Sequence, residues 1–88
     1  MSAREFFVSG RVQGVGFRYF VAGIARELSI SGWVRNLSDG RVQVHANGSA
    51  NGLAEFEARL REGPPAAYVH GVESQETTVS NADWFEIR

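Results

Sequence analysis

Three features of this 88-residue chain predict an α+β fold of β-α-β-β-α-β order, the ferredoxin-like sandwich. Two amphipathic stripes of helical spacing are interleaved with stretches of two-residue alternation. An Asp-Gly pair separates the two middle stretches, and Gly63-Pro64-Pro65 ends the second helical stripe. Right-handed crossover rules then put both helices on one face of an antiparallel or mixed sheet.

The first strand is expected from Glu5 to Gly10, rich in aromatic and β-branched residues, with Phe6 and Val8 on one face. Gly10, Gly14 and Gly16 then mark a loop. Phe17, Phe20, Val21, Ile24, Ala25 and Leu28 form the buried stripe of the first helix, with Arg18, Ala22, Arg26 and Glu27 on its other side. Trp33 to Leu37 and Arg41 to Asn47 read as two strands joined by Ser38-Asp39-Gly40, because glycine accepts the positive φ of a tight hairpin turn. In the second of these, Val42, Val44 and Ala46 alternate with Gln43, His45 and Asn47. Ser49 caps a second helix that carries Leu53, Phe56 and Leu60 and stops at Gly63, with Gly52 weakening its first turn. Tyr68 to Gln75 reads as a fourth strand, and Phe85 with Ile87 as a short last one.

Apolar residues are 43% of the chain, enough for one core, so residues 1–88 are expected to form a single domain. Nine arginines stand against ten acidic residues, and a net charge of −1 without a block of one sign gives no general attraction for nucleic acid or anionic membrane. No apolar run approaches the ~20 residues of a membrane span, and the N-terminus lacks a signal-like apolar region. A cytoplasmic protein is expected. With no cysteine there is neither a disulfide nor a thiol nucleophile. No oligomerisation signal is visible, and a monomer is expected.

The informative segment is Gly10-Arg11-Val12-Gln13-Gly14-Val15-Gly16-Phe17-Arg18, a glycine-bearing loop that enters a helix N-terminus. Amides there lack intrahelical partners and, with the helix dipole, suit an anion. Arg18 is a cation at the positive end of that dipole, at a cost of about 0.3–1 kcal/mol if exposed. A bound anion would turn the cost into a gain. The bland alternative is a surface turn in which Arg18 pairs with a carboxylate. The loop is neither a Walker motif nor a dinucleotide fingerprint.

That segment resembles the first signature of the acylphosphatase family. Gly32-Trp33-Val34-Arg35-Asn36, followed by Gly40, Val42 and Gly48, resembles the second, and similarity extends over roughly Glu5 to Arg88. The resemblance implies the ferredoxin-like fold and hydrolysis of the carboxyl-phosphate anhydride of small acyl phosphates, without metal or organic cofactor. By motif position it implies that Arg18 binds the phosphoryl group, that the amides of Val15, Gly16, Phe17 and Arg18 surround it, and that Asn36 orients the attacking water. Gly10 and Gly14 would serve loop geometry. Ser29 stands where many members have glycine, Asn47 where an acidic residue is common, and Gly52 interrupts the second helix.

From position alone, Asn36 could instead bond its own turn, and Trp33 and Phe20 could be core or border the site. His45 and His70 are isolated, and His45 falls on the polar face of its strand, so no metal site is expected. Asp39 is explained by the turn. Glu55, Glu57, Arg59, Arg61 and Glu62 suit a solvated helix face. Two other functions compete. One is a non-catalytic phosphate or carbamoyl-phosphate binding module of the same fold, as in hydrogenase-maturation carbamoyltransferases. The other is an RNA binder, which would need aromatic central strands and a basic surface that Arg41-Val42-Gln43-Val44-His45 lacks.

Overall fold

The computed structural model describes residues 1–88. Seven elements succeed one another: β1 (Ser2–Arg11), α1 (Phe17–Glu27), β2 (Ser31–Asn36), β3 (Val42–Gly48), α2 (Ala50–Glu62), β4 (Tyr68–Thr77) and β5 (Phe85–Ile87). They build one sheet in the order β4-β1-β3-β2-β5. The first four strands pair antiparallel, and β5 runs parallel to β2. This is the expected ferredoxin-like α+β architecture, with a mixed sheet.

Phe6 and Val8 of β1, Val34 of β2 and Val42, Val44 and Ala46 of β3 point to the helix side and join Val21, Ile24, Leu53, Phe56 and Leu60 in one core cluster. Phe56 is its centre, with ring centroids 5.6 Å from Phe6 and 6.3 Å from Phe85. Burying each such ring stabilises the fold by about 1.5–3 kcal/mol. The glycine loop depends above all on the placement of β1. This strand lies between β3 and β4, paired with β3 through Val8 and with β4 through Arg11, so the loop leaving Arg11 starts from an interior strand.

Several details depart from the sequence reading. β1 begins at Ser2 rather than Glu5, because Ser2, Ala3 and Arg4 pair with Gly48, Asn47 and Ala46 of β3. Gly10 belongs to this strand and not to the loop. It sits at an irregularity in the β1–β4 ladder with φ 123°, where a Cβ would collide with the Tyr68 carbonyl oxygen. Ala22, placed on the polar side of the first helix, is fully buried. The face of β3 that carries Gln43, His45 and Asn47 is buried too. Trp33 stacks on His45 at 6.0 Å, Arg35 Nε donates to Gln43 Oε1 at 2.8 Å, and the segment between β4 and β5 lies over Asn47. Side chains from neighbouring elements therefore roof a face that alternation alone marks as solvated.

The Ser49 cap and the Gly63 stop expected for α2 both form. Ser49 Oγ accepts from Gly52 N–H at 3.0 Å, so Gly52 takes part in the cap of α2. At the end of α1, Ile30 N–H donates to Ala25 O at 2.8 Å and Ser29 N–H to Arg26 O at 3.4 Å, the bonding of a Schellman motif. That motif needs a left-handed residue, and here Ser29 takes it at φ 56°. A non-glycine residue held there costs roughly 1–2 kcal/mol, of which glycine would return only a part because its unfolded chain is looser. Ser29→Gly is therefore expected to stabilise the protein by about 1 kcal/mol, seen as a rise of about 4–8 °C in thermal midpoint.

Candidate active site

At the C-terminal end of β1 a small cleft of about 110 Å³ is lined by Val12, Gly14, Gly16, Phe17, Arg18, Tyr19 and Asn36. The fold thus brings the two separate sequence signatures to one place. A larger hollow, about 580 Å³, lies at the other end of β1 beside Met1, Arg4 and Glu57, and includes neither Arg18 nor Asn36.

The cleft is built around the start of α1. Gly16 is the N-cap residue, with φ 77° and ψ 18°, and no side chain caps it. The first turn of α1 has no acidic residue. The first bond of the helix is Phe20 N–H to Gly16 O at 3.1 Å, and the amides of Val15, Gly16, Phe17 and Arg18 find no acceptor within the chain. In α2, by contrast, Ser49 fills this role. Unpartnered amides at the positive end of a helix favour a bound anion. Gly14, at φ 75°, adds a second left-handed turn to the loop, whereas the Val15 side chain leaves the cleft and packs on the core.

No Asp or Glu side chain engages Arg18, since none of the four ion pairs includes it. Its Nη1 donates to the main-chain oxygen of Arg88 at 2.7 Å. Arg88 is itself anchored to β2 by its N–H bond to Val34 O at 2.8 Å, so the residue that follows β5 holds the guanidinium of Arg18, whose other N–H groups remain available. Asn36 closes β2 opposite Val42, and its side chain makes no hydrogen bond within the chain. The turn is served instead by Asp39, whose carboxylate accepts from Arg41 N–H at 3.0 Å and Arg41 Nε at 2.9 Å. Those bonds hold the Asp39 carboxyl below its usual pKa, the main-chain bond being the larger cause. Arg11, at the other end of the loop, lies outside the cleft lining.

Gln13 is unremarkable by residue type, yet it ties the site together. Its Nε2 donates to Leu37 O at 2.7 Å and to Arg41 O at 3.0 Å, joining the glycine loop to the hairpin that carries Asn36. Its partners lie 24 and 28 residues away, so local pattern carries no sign of them. Gln13→Ala is expected to cost about 1–2 kcal/mol in urea unfolding and to speed hydrogen exchange of the Gly14–Arg18 amides. Gln13→Glu, which keeps the length but cannot donate, should do the same.

Comparison with known proteins concerns the chain as a whole. The acylphosphatase family profile matches residues 4–87. The chain is 49% identical to the acylphosphatase of Archaeoglobus fulgidus over 87 residues, covering 99% of this chain and 98% of that protein. Its backbone matches the crystal structure of acylphosphatase from Bacillus subtilis with a TM-score of 0.97 at 38% identity, over 100% of this chain and 99% of the other. It also matches part of full-length HypF in its phosphate- and nucleotide-bound form, with a TM-score of 0.92 at 32% identity, over 99% of this chain but 12% of that one. From its amide-lined glycine loop to its closing strand, this chain belongs to the acylphosphatase family.

Proposed function

We propose that the cleft hydrolyses acyl phosphates, with Arg18 and the amides of Val15, Gly16, Phe17 and Arg18 holding the phosphoryl group and Asn36 orienting the attacking water. The reaction class follows from membership of the acylphosphatase family. The single observation that supports these residue roles is the run of unpartnered amides beside an Arg18 that has no Asp or Glu partner, in one cleft with Asn36.

The chemistry demands little more than these groups. Water adds to phosphorus as the bond from phosphorus to the acyl oxygen breaks, giving a carboxylate and inorganic phosphate. The leaving carboxylate has a conjugate acid of pKa ~4, so no general acid is needed. In a loose transition state, charge spreads over three equatorial oxygens, and amides with a guanidinium fork can match it. Asn36 is neutral and takes no proton. Its amide can align the water, whose proton passes to a phosphate oxygen.

The relatives that match over nearly their whole length are acylphosphatases, which favours turnover over a binding module of the HypF kind. We infer further that residues 1–88 act as one domain, a cytoplasmic monomer that takes a small-molecule substrate. One continuous core supports the single domain. No helix is long and apolar enough to cross a membrane. The sheet rings on which a nucleic-acid reader would stack bases already have guanidinium partners, Arg88 at 4.7 Å over Trp33 and Arg41 at 4.9 Å over Phe7.

The test is phosphate release from benzoyl phosphate in excess EDTA. Turnover is expected to persist with the chelator and to fall by about 10²-fold or more in folded Arg18→Ala and Asn36→Ala variants, the latter in kcat more than KM. Arg18→Lys should not rescue, because an ammonium lacks the planar fork. Near-normal turnover by folded Asn36→Ala would remove water orientation from the mechanism.

A further inference from the structure

The cleft that would hold the phosphoryl group is small, about 110 Å³, so the acyl part of a substrate must lie outside it, against the rim. Three apolar side chains line the cleft, Val12, Phe17 and Tyr19. Val12 and Phe17 are each 1% exposed and belong to the core, so they have almost no surface to offer. Tyr19 is 74% exposed. Of the large hydrophobic residues that the fold leaves in solvent, Met1, Tyr19, Tyr68, Val79 and Trp84, it is the one on this cleft.

Resting on the acyl phosphate reading of the cleft, we propose that Tyr19 receives the acyl group and gives the enzyme a preference for aromatic or bulky apolar acyl phosphates over small ones. Nothing in the fold uses the ring. Phe17 pairs with Phe20 at 5.9 Å and Trp33 stacks on His45, but Tyr19 has neither an aromatic partner nor a side-chain hydrogen bond. Gly23, one turn further along α1, meets no atom within 4 Å of a built Cβ, so the helix surface beside the ring is open. The ring stands on the rim of the same cleft that Arg18 and Asn36 line. An apolar acyl group laid against it removes two apolar surfaces from water, and an aromatic acyl group gains the offset or edge contact of ring pairs.

The experiment compares kcat/KM for benzoyl phosphate and acetyl phosphate in the wild-type protein, Tyr19→Ala and Tyr19→Phe, all in EDTA. The expected result is a benzoyl-to-acetyl ratio that falls roughly three- to tenfold in Tyr19→Ala, mainly through KM for benzoyl phosphate, and is kept in Tyr19→Phe. An unchanged ratio in Tyr19→Ala overturns the proposal, as does an equal loss on both substrates, which would place Tyr19 at the phosphoryl group. Loss of the ratio in Tyr19→Phe overturns the ring contact in favour of the hydroxyl. A wild-type protein that hydrolyses neither substrate overturns the reading of the cleft itself, an outcome distinct from active enzyme with an indifferent Tyr19.

Discussion

The start of α1 is left uncapped, and much of the surrounding structure answers to that. Amide donors without acceptors cost about 1–3 kcal/mol each when shut away from water, so a loop that aims several of them at one point is stable only while they face solvent or a ligand. Such a loop would relax into a capped turn if it were free to move. It is held from every side instead: by β1, bonded along both edges, by the Gly10 irregularity against β4, and by the two bonds of Gln13 to the hairpin. The same chain caps α2 with Ser49 in the ordinary way, so the bare end of α1 is a local property and not a general looseness.

The electrostatics are equally local. A protein of net charge −1 does not collect anions by its overall field. Four of its arginines are paired with Asp or Glu side chains, whereas Arg18 has no such partner and is held by the main-chain oxygen of Arg88. That arrangement fixes the guanidinium through one nitrogen and leaves its remaining N–H groups for a ligand. Its charge and the helix dipole repel one another until an anion sits between them, and this makes the bare site a poor place for a cation and a good one for phosphate.

Much of this was legible in the sequence because it is written at short range. The stripe Phe17, Val21, Ile24, Ala25, the Asp39-Gly40 turn, the Ser49 cap and the Gly63 stop each depend on residues within a few positions of one another. The two signatures pointed to the cleft, since Arg18 and Asn36 each sit in one of them. Features set by pairing across the sheet could not be read that way. The extra length of β1 depends on β3, the burial of His45 depends on Trp33, and the role of Gln13 depends on carbonyls of a distant hairpin. Gly10 is the instructive case: its glycine signal was real, but the cause is the backbone of β4 and not a turn of the loop.

Asn47 shows how a buried polar residue can be fully satisfied and still reach the site. It is fully buried, and its amide uses both ends. Nδ2 donates to Ser31 Oγ at 3.2 Å and Ser80 Oγ at 2.9 Å, while Oδ1 accepts from Ser80 N–H at 2.9 Å and lies 3.1 Å from His45 Nε2. A carboxylate in that position could only accept, and as a buried charge it would need a cation; a neutral amide satisfies donors and acceptors together. Asn47 thereby pins the segment between β4 and β5 to the sheet, and β5 in turn leads into Arg88, whose main-chain oxygen holds Arg18. A residue far from the cleft in sequence is thus linked to it by a short chain of contacts. Asp at position 47 would leave the Ser31 and Ser80 hydroxyls without their donor and bury a charge beside His45, which is why an amide fits this place in the sheet.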